Sequence, residues 1–144
     1  MRRTATLLAL AIAVACGGSD ATAPPNQTQG ASFTGTYVLQ TVNGKPLPVT
    51  FNFNAGDYLT IRGYSLSING SGGWTSSTNE IFTTGGVVTD QPNGGQTGSY
   101  SYNAATKAVE LISQDQSTVL SGSVSADFGT LTVSQSTDIY VFKK

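Results

Sequence analysis

Between Phe33 and Lys144 the chain never runs far without a turn signal. Asn43-Gly44, Asn69-Gly70-Ser71-Gly72-Gly73, Gly85-Gly86, Pro92-Asn93-Gly94-Gly95 and a turn near Ala105-Thr106 punctuate it about every eight to twelve residues, a spacing found in sandwiches and barrels. The segments between them alternate with a period of two. In residues 64–69, YSLSIN, the side chains of Tyr64, Leu66 and Ile68 alternate with Ser65, Ser67 and Asn69, which puts one face in a core and the other in water. No amphipathic helical stripe follows residue 32. With short connections, neighbours in sequence become neighbours in space. The expected fold is all-β: a single antiparallel up-and-down β-barrel or meander of about eight to ten strands. Closing the barrel would remove the free edges that otherwise aggregate.

Individual strands follow from this reading. FTGTYVLQTV opens the domain at Phe33 and is rich in β-branched and aromatic residues. Asn43-Gly44 suits a positive-φ turn. Residues 47–53 follow, with Pro46 and Pro48 removing donors, so that the first half is an edge or a bulge. Residues 57–61 and 64–68 read as strands, and residues 74–82 as a polar strand with apolar ends. Residues 87–91 form a short strand or a long loop between glycine-rich brackets. Residues 98–103 put Tyr100 and Tyr102 on one face. Strands at Val109 and Leu111, at 118–125 and at 130–135 follow, the last with Leu131 and Val133 facing together. Residues 138–142, apolar on both faces, suit a strand between two others. By the same parity, Leu120, Leu131, Val133 and Tyr100 share the interior with Tyr64, Leu66 and Ile68. Thr34-Gly35-Thr36-Tyr37 recurs as Thr97-Gly98-Ser99-Tyr100, a strand-opening habit.

The first 32 residues have a different character. Arg2 and Arg3 precede an apolar run over residues 4–15 that ends Ala13-Val14-Ala15-Cys16. The run has the length of a secretory signal and falls short of the about 20 residues that a spanning helix needs. Small residues before a cysteine resemble the bacterial lipobox, with Ala13 where that motif prefers leucine. The resemblance implies lipidation of Cys16, removal of residues 1–15 and anchoring to a membrane through the N-terminal lipid; the alternative is ordinary cleavage after Ala15, which leaves a free thiol. Acyl chains anchor through about 0.8 kcal/mol for each buried CH₂. Gly17 after the cysteine is similar to the sorting signal for the outer membrane. Residues 16–32 carry Gly, Ser, Pro, Asn and Gln without apolar periodicity and read as a flexible tether, spanning on the order of 20–25 Å. Residues 33–144 are the β-barrel domain, long enough for one core. Cys16 is the only cysteine, so that domain has no disulfide.

Charge narrows the partners. Charged residues make up 10% of the chain, against about 25% in typical domains. Without residues 1–15 there remain five basic and eight acidic side chains, a net of −3. No basic stripe is present, so nucleic acid is not an expected partner.

Residues 35–48, GTYVLQTVNGKPLP, resemble the opening of small bacterial lipocalin-like lipoproteins. They are also similar to the first hairpin of META domains, an aromatic strand followed by an Asn-Gly-Lys-Pro turn. Gly35 and Tyr37 stand where lipocalins carry Gly-x-Trp, and the closing Tyr140-Val141-Phe142-Lys143 fits the same pattern. The glycine-cysteine-asparagine segment of META domains is absent. Arg62, the one arginine after residue 15, lies early, whereas lipocalins place one late. The resemblance implies a β-barrel and no particular ligand.

No catalytic constellation emerges, and no cofactor or metal is expected. Histidine is absent, which removes the commonest general base and metal ligand. Serines are abundant, but no motif pairs one with a lysine. The acids are scattered, and none has calcium-loop spacing. Glu80 and Glu110 are the pair to weigh for glycosidase chemistry, against the simpler reading of solvated surface acids. Residues 69–73 lack a following lysine and helix, so they form a turn and not a phosphate cradle. The aromatics carry more information, since Tyr and Trp have apolar bodies and polar tips. Tyr37, Tyr64, Trp74, Tyr100 and Tyr102, with Leu66 and Ile68, either fill the barrel or line a cavity. The functional expectation is a lipid-anchored cell-envelope barrel that is not an enzyme and binds a small apolar or amphipathic ligand. The alternative is an envelope structural or protein-interaction module, or a periplasmic enzyme inhibitor, with a filled barrel and a protruding loop at residues 85–95.

Overall fold

The computed structural model describes residues 33–144. The signal (1–15), the lipidation site Cys16 and the tether (16–32) lie outside the described residues. The strands are β1 (Gly35–Val42), β2 (Lys45–Pro46), β3 (Val49–Asn54), β4 (Asp57–Ile68), β5 (Gly73–Thr84), β6 (Val87–Gly94), β7 (Thr97–Tyr102), β8 (Ala108–Ser113), β9 (Val119–Val124), β10 (Thr130–Gln135) and β11 (Asp138–Lys143). Eight of them close an antiparallel barrel in the order β1-β11-β10-β9-β8-β7-β5-β4, with β4 pairing back onto β1. The expected all-β barrel is therefore the fold.

The meander is not strict. It holds from β7 to β11, where each strand pairs with the next. It breaks where β5 skips β6 to pair with β7, and where β1 pairs with β4 and not β3. The cause is length. Strands β4 and β5 have twelve residues each, twice those of β7 to β11, so their hairpin outgrows the barrel wall. The surplus is flanked by β3 on one side and β6 on the other. This makes a four-stranded flap, β3-β4-β5-β6, that continues the wall past the barrel mouth. Pro92-Asn93-Gly94, read above as a bracket after a short strand, lies inside β6. Strand β6 is an edge, and an edge tolerates the donor lost at proline.

Parity sorts the interior. Leu59 and Ile61 occupy odd positions of β4, and Tyr64, Leu66 and Ile68 even ones, yet Ile61, Leu66 and Ile68 are all buried. A β-bulge between Ile61 and Gly63 reconciles them, because its extra residue resets the alternation. Arg62, at the bulge, is exposed. Tyr37, Leu39, Leu66, Trp74, Tyr100, Leu111, Leu120, Leu131, Val133 and Phe142 fill the barrel. The inward placement read for Leu66, Ile68, Tyr100, Leu120, Leu131 and Val133 is the one observed. Strand β11 does lie between two others, β10 and β1, but its second apolar face is not covered, and Ile139 is exposed.

One end of the barrel is closed. Phe33 is buried there, stacked on Tyr102 (4.8 Å between centroids, 15° between planes) and edge-on to Tyr100 at 5.4 Å. The Tyr37 hydroxyl donates to the Phe33 carbonyl oxygen at 3.0 Å, and the Tyr100 hydroxyl donates to the Asn69 carbonyl oxygen at 2.9 Å. The repeated Thr-Gly-Thr/Ser-Tyr segments thus each deliver a buried tyrosine to this end. Lys107 and Lys144 lie over the rings of Phe128 and Tyr37, with Nζ 4.6 and 5.2 Å from the centroids. Gly35, at φ 134°, is pressed against Lys144, whose Cε would lie 2.6 Å from any Cβ placed there.

A candidate binding crevice at the barrel mouth

The opposite end opens into a cavity of about 330 Å³ between the inner face of the flap and the barrel rim. Ligand sites start at about this size. The β4 bulge points Leu59, Ile61 and Tyr64 into it, and β5 contributes Ser76, Thr78 and Glu80 at alternate positions. Gln135 of β10 and Tyr140 of β11 form the facing wall.

Gln96 closes the side. It sits where β5 exchanges β6 for β7 as its partner. Its backbone N–H donates to Ser76 Oγ at 2.8 Å, and its carbonyl oxygen accepts the Ser76 N–H at 2.8 Å. Its side-chain amide donates to Thr118 Oγ1 at 3.1 Å. These bonds fix the Gln96 side-chain amide at the cavity wall and leave its side-chain oxygen, Oε1, to accept.

The cavity is amphipathic and negative. Leu59, Ile61 and the rings of Tyr64 and Tyr140 supply apolar surface, and hydroxyls and amides supply the rest. Among the described residues, Glu80 is the one charged residue lining it. Burial raises the Glu80 pKa above the ordinary range. The Tyr64 hydroxyl is pushed up to about 12, chiefly by burial, with Ser76 opposing and the charges of Tyr140 and Glu80 adding. Tyr140 is raised by burial, then by Asp138 and Glu80. At the rim, Asp138 accepts from Asn43 Nδ2 at 2.7 Å while Ile139 N–H donates to Asn43 Oδ1 at 2.8 Å.

Of the aromatic and apolar residues singled out from the sequence, only Tyr64 lines this cavity. Tyr37, Leu66, Ile68, Trp74 and Tyr100 belong to the packed core, with Trp74 Nε1 donating to the carbonyl oxygen of Ser99 at 2.9 Å. Tyr102 is half-buried at the closed end against Phe33 and Phe128. Glu80 and Glu110 do not converge, since Glu110 stands exposed on β8 while Glu80 faces inward. Residues 69–73 form the expected turn, in which Asn69 Oδ1 accepts the N–H groups of Ser71 and Gly73 at 3.0 and 2.9 Å. Leu59, Ile61, Gln96, Thr118, Gln135 and Tyr140 had escaped the sequence reading. Only Tyr140 carried a signal, its parity with Phe142.

The flap has a second feature. Phe53 and Phe82 sit on one face of it with ring centroids 6.2 Å apart. They are 57% and 37% exposed, and Val87 and Val88 at the start of β6 are 68% and 59% exposed.

Compared with protein-family models, curated proteins and solved structures, the chain matches none.

Proposed function

We propose that this chain is a lipid-anchored protein of the cell envelope whose barrel holds a small amphipathic ligand at its mouth. The supporting observation is the crevice itself: apolar and aromatic walls, a few convergent polar groups, and one inward carboxylate. The ligand is held between flap and rim and not in the barrel centre, which is filled by Trp74, Tyr37 and Phe142. Phe33, which follows the tether, lies at the closed end, opposite the mouth.

Two measurements test this reading. Mass spectrometry of the membrane-bound protein should find Cys16 acylated and first in the chain; a soluble product with a free Cys16 removes the anchor. Small molecules extracted from the purified chain should be lost in a Thr78→Trp variant, which fills the crevice. If nothing that co-purifies depends on the crevice, the ligand reading falls.

A docking module is the second reading. The filled barrel centre and the exposed Phe53, Phe82, Val87 and Val88 favour it. Crosslinking from Phe53 in intact envelopes distinguishes it, because a ligand carrier requires no protein there.

A further inference from the structure

We propose that the ligand of the mouth crevice carries an organic ammonium group, recognised by Glu80 between Tyr64 and Tyr140. The inference rests on the ligand-holding reading above and sharpens it. Glu80 faces inward from β5 into a cavity that, among the described residues, no lysine or arginine lines. A half-buried carboxylate without a cation has lost water and gained nothing in return. The polar and aromatic part of the lining can accept hydrogen bonds or offer a π face. Gln96 and Gln135 have amide carbonyls, Ser76, Thr78 and Thr118 have hydroxyl oxygens, and Tyr64 and Tyr140 have rings. An ammonium donates only and is attracted to aromatic faces. A carboxylate or phosphate ligand would instead meet Glu80, with Asp138 at the rim, and no compensating charge. Leu59 and Ile61 then cover the carbon chain that carries the cation.

The pH dependence follows from the groups facing the cavity. On β5 that group is Glu80; on β11 they are Tyr140 and, at the rim, Asp138; on β4 it is Tyr64. Gln135 of β10, Thr118 and Gln96 do not titrate. Both tyrosine hydroxyls have raised pKa values and stay neutral at physiological pH. Acidification therefore acts on the cavity through Glu80, and ammonium binding weakens as Glu80 takes up its proton.

The test compares butylammonium, butanol and butyrate on the full chain in lipid nanodiscs, with empty nanodiscs as the blank. The Gln96 side-chain amide resonance reports binding at the mouth. Butylammonium should bind more tightly than butanol by about tenfold or more, the scale of a hydrogen bond to a charged group, and butyrate most weakly. Glu80→Gln should abolish the preference, and lowering the pH on the unsubstituted chain should do the same without a variant. If all three bind alike, or the preference survives in Glu80→Gln, the ammonium inference is overturned and the ligand-holding reading stands. If none shifts Gln96, both fall.

Discussion

The Tyr37 hydroxyl lies 3.0 Å from the carbonyl oxygen of Phe128, a residue 91 positions later in the chain. The same hydroxyl serves the Phe33 carbonyl at 3.0 Å. One proton therefore ties the entry of β1 and the β9–β10 turn to the closed end. Tyr37→Phe keeps the ring and strands two carbonyls. It should cost about 1–3 kcal/mol, the penalty of unsatisfied buried groups. The midpoint of urea unfolding measures this, and an unchanged midpoint would mean that water replaces the hydroxyl.

Leu66 and Ser67 test the register of β4. Leu66 is fully buried, whereas the Ser67 hydroxyl meets Thr36 Oγ1 at 2.9 Å on the outer surface. Leu66→Ala should destabilise by about 2–5 kcal/mol, and Ser67→Ala by less than about 0.5 kcal/mol. Thermal unfolding of the two variants compares them directly. A reversed ranking would mean that the strand has slipped by one residue.

Trp74 depends on the missing side chain of Gly98, its partner across β5 and β7. A Cβ there would lie 2.7 Å from Trp74 Nε1 and 2.0 Å from the Ile112 carbonyl oxygen. Both neighbours are fixed, one by its hydrogen bond and one by the backbone. Gly98→Ala should therefore cost at least about 1–3 kcal/mol, the range for overpacked sites, and should shift the near-ultraviolet circular dichroism of Trp74. A silent substitution would show that the barrel wall can widen there.

Glu80 should make stability fall as the pH rises through its titration. Burial raises its folded pKa, so the folded state holds the proton more tightly than the unfolded one. That contribution is complete below the ordinary glutamate range and is lost above the raised value. Glu80→Gln should flatten this limb of the stability profile. Asp115 and Asp127 have the opposite sign. Hydrogen bonds from Ser113 and Ser125 hold their pKa values down, so the stability they add is lost as the pH falls through those lowered values. Denaturant midpoints across the pH range separate the two limbs.

The barrel was legible in the sequence where local pattern and tertiary environment agree. YSLSIN alternates because β1 and β5 flank its strand and the barrel interior takes one face. Residues 57–61 and 64–68 read as two strands because a bulge at Arg62-Gly63 breaks the parity, and a bulge has no reliable signature in one sequence. The paired turns at residues 113–118 and 125–130 were also invisible as a pair. SQDQST and SADFGT share few letters, yet each closes the same way. Serine Oγ accepts the threonine N–H at 2.9 Å, and Gln116 and Phe128 adopt φ of 59° and 57°. The crevice was the least legible part. Its lining comes from β4, β5, β10, β11 and two connections, and only the three-dimensional closure brings Glu80 opposite Tyr140. The aromatics drew attention as a class, but five of the seven singled-out residues were needed for the core.

The contact between Gly35 and Lys144 places the start of the first barrel strand beside the end of the last. The eight-stranded ring is therefore continuous through space where its first strand meets its last. Which strand counts as first is a property of the gene and not of the wall. A short linker from Lys144 to Phe33, with a new opening at Gly85-Gly86, would preserve every pairing in a circularly permuted chain. For the same reason a domain joined directly to Phe33 or to Lys144 would emerge on the far side from the crevice and leave it unobstructed.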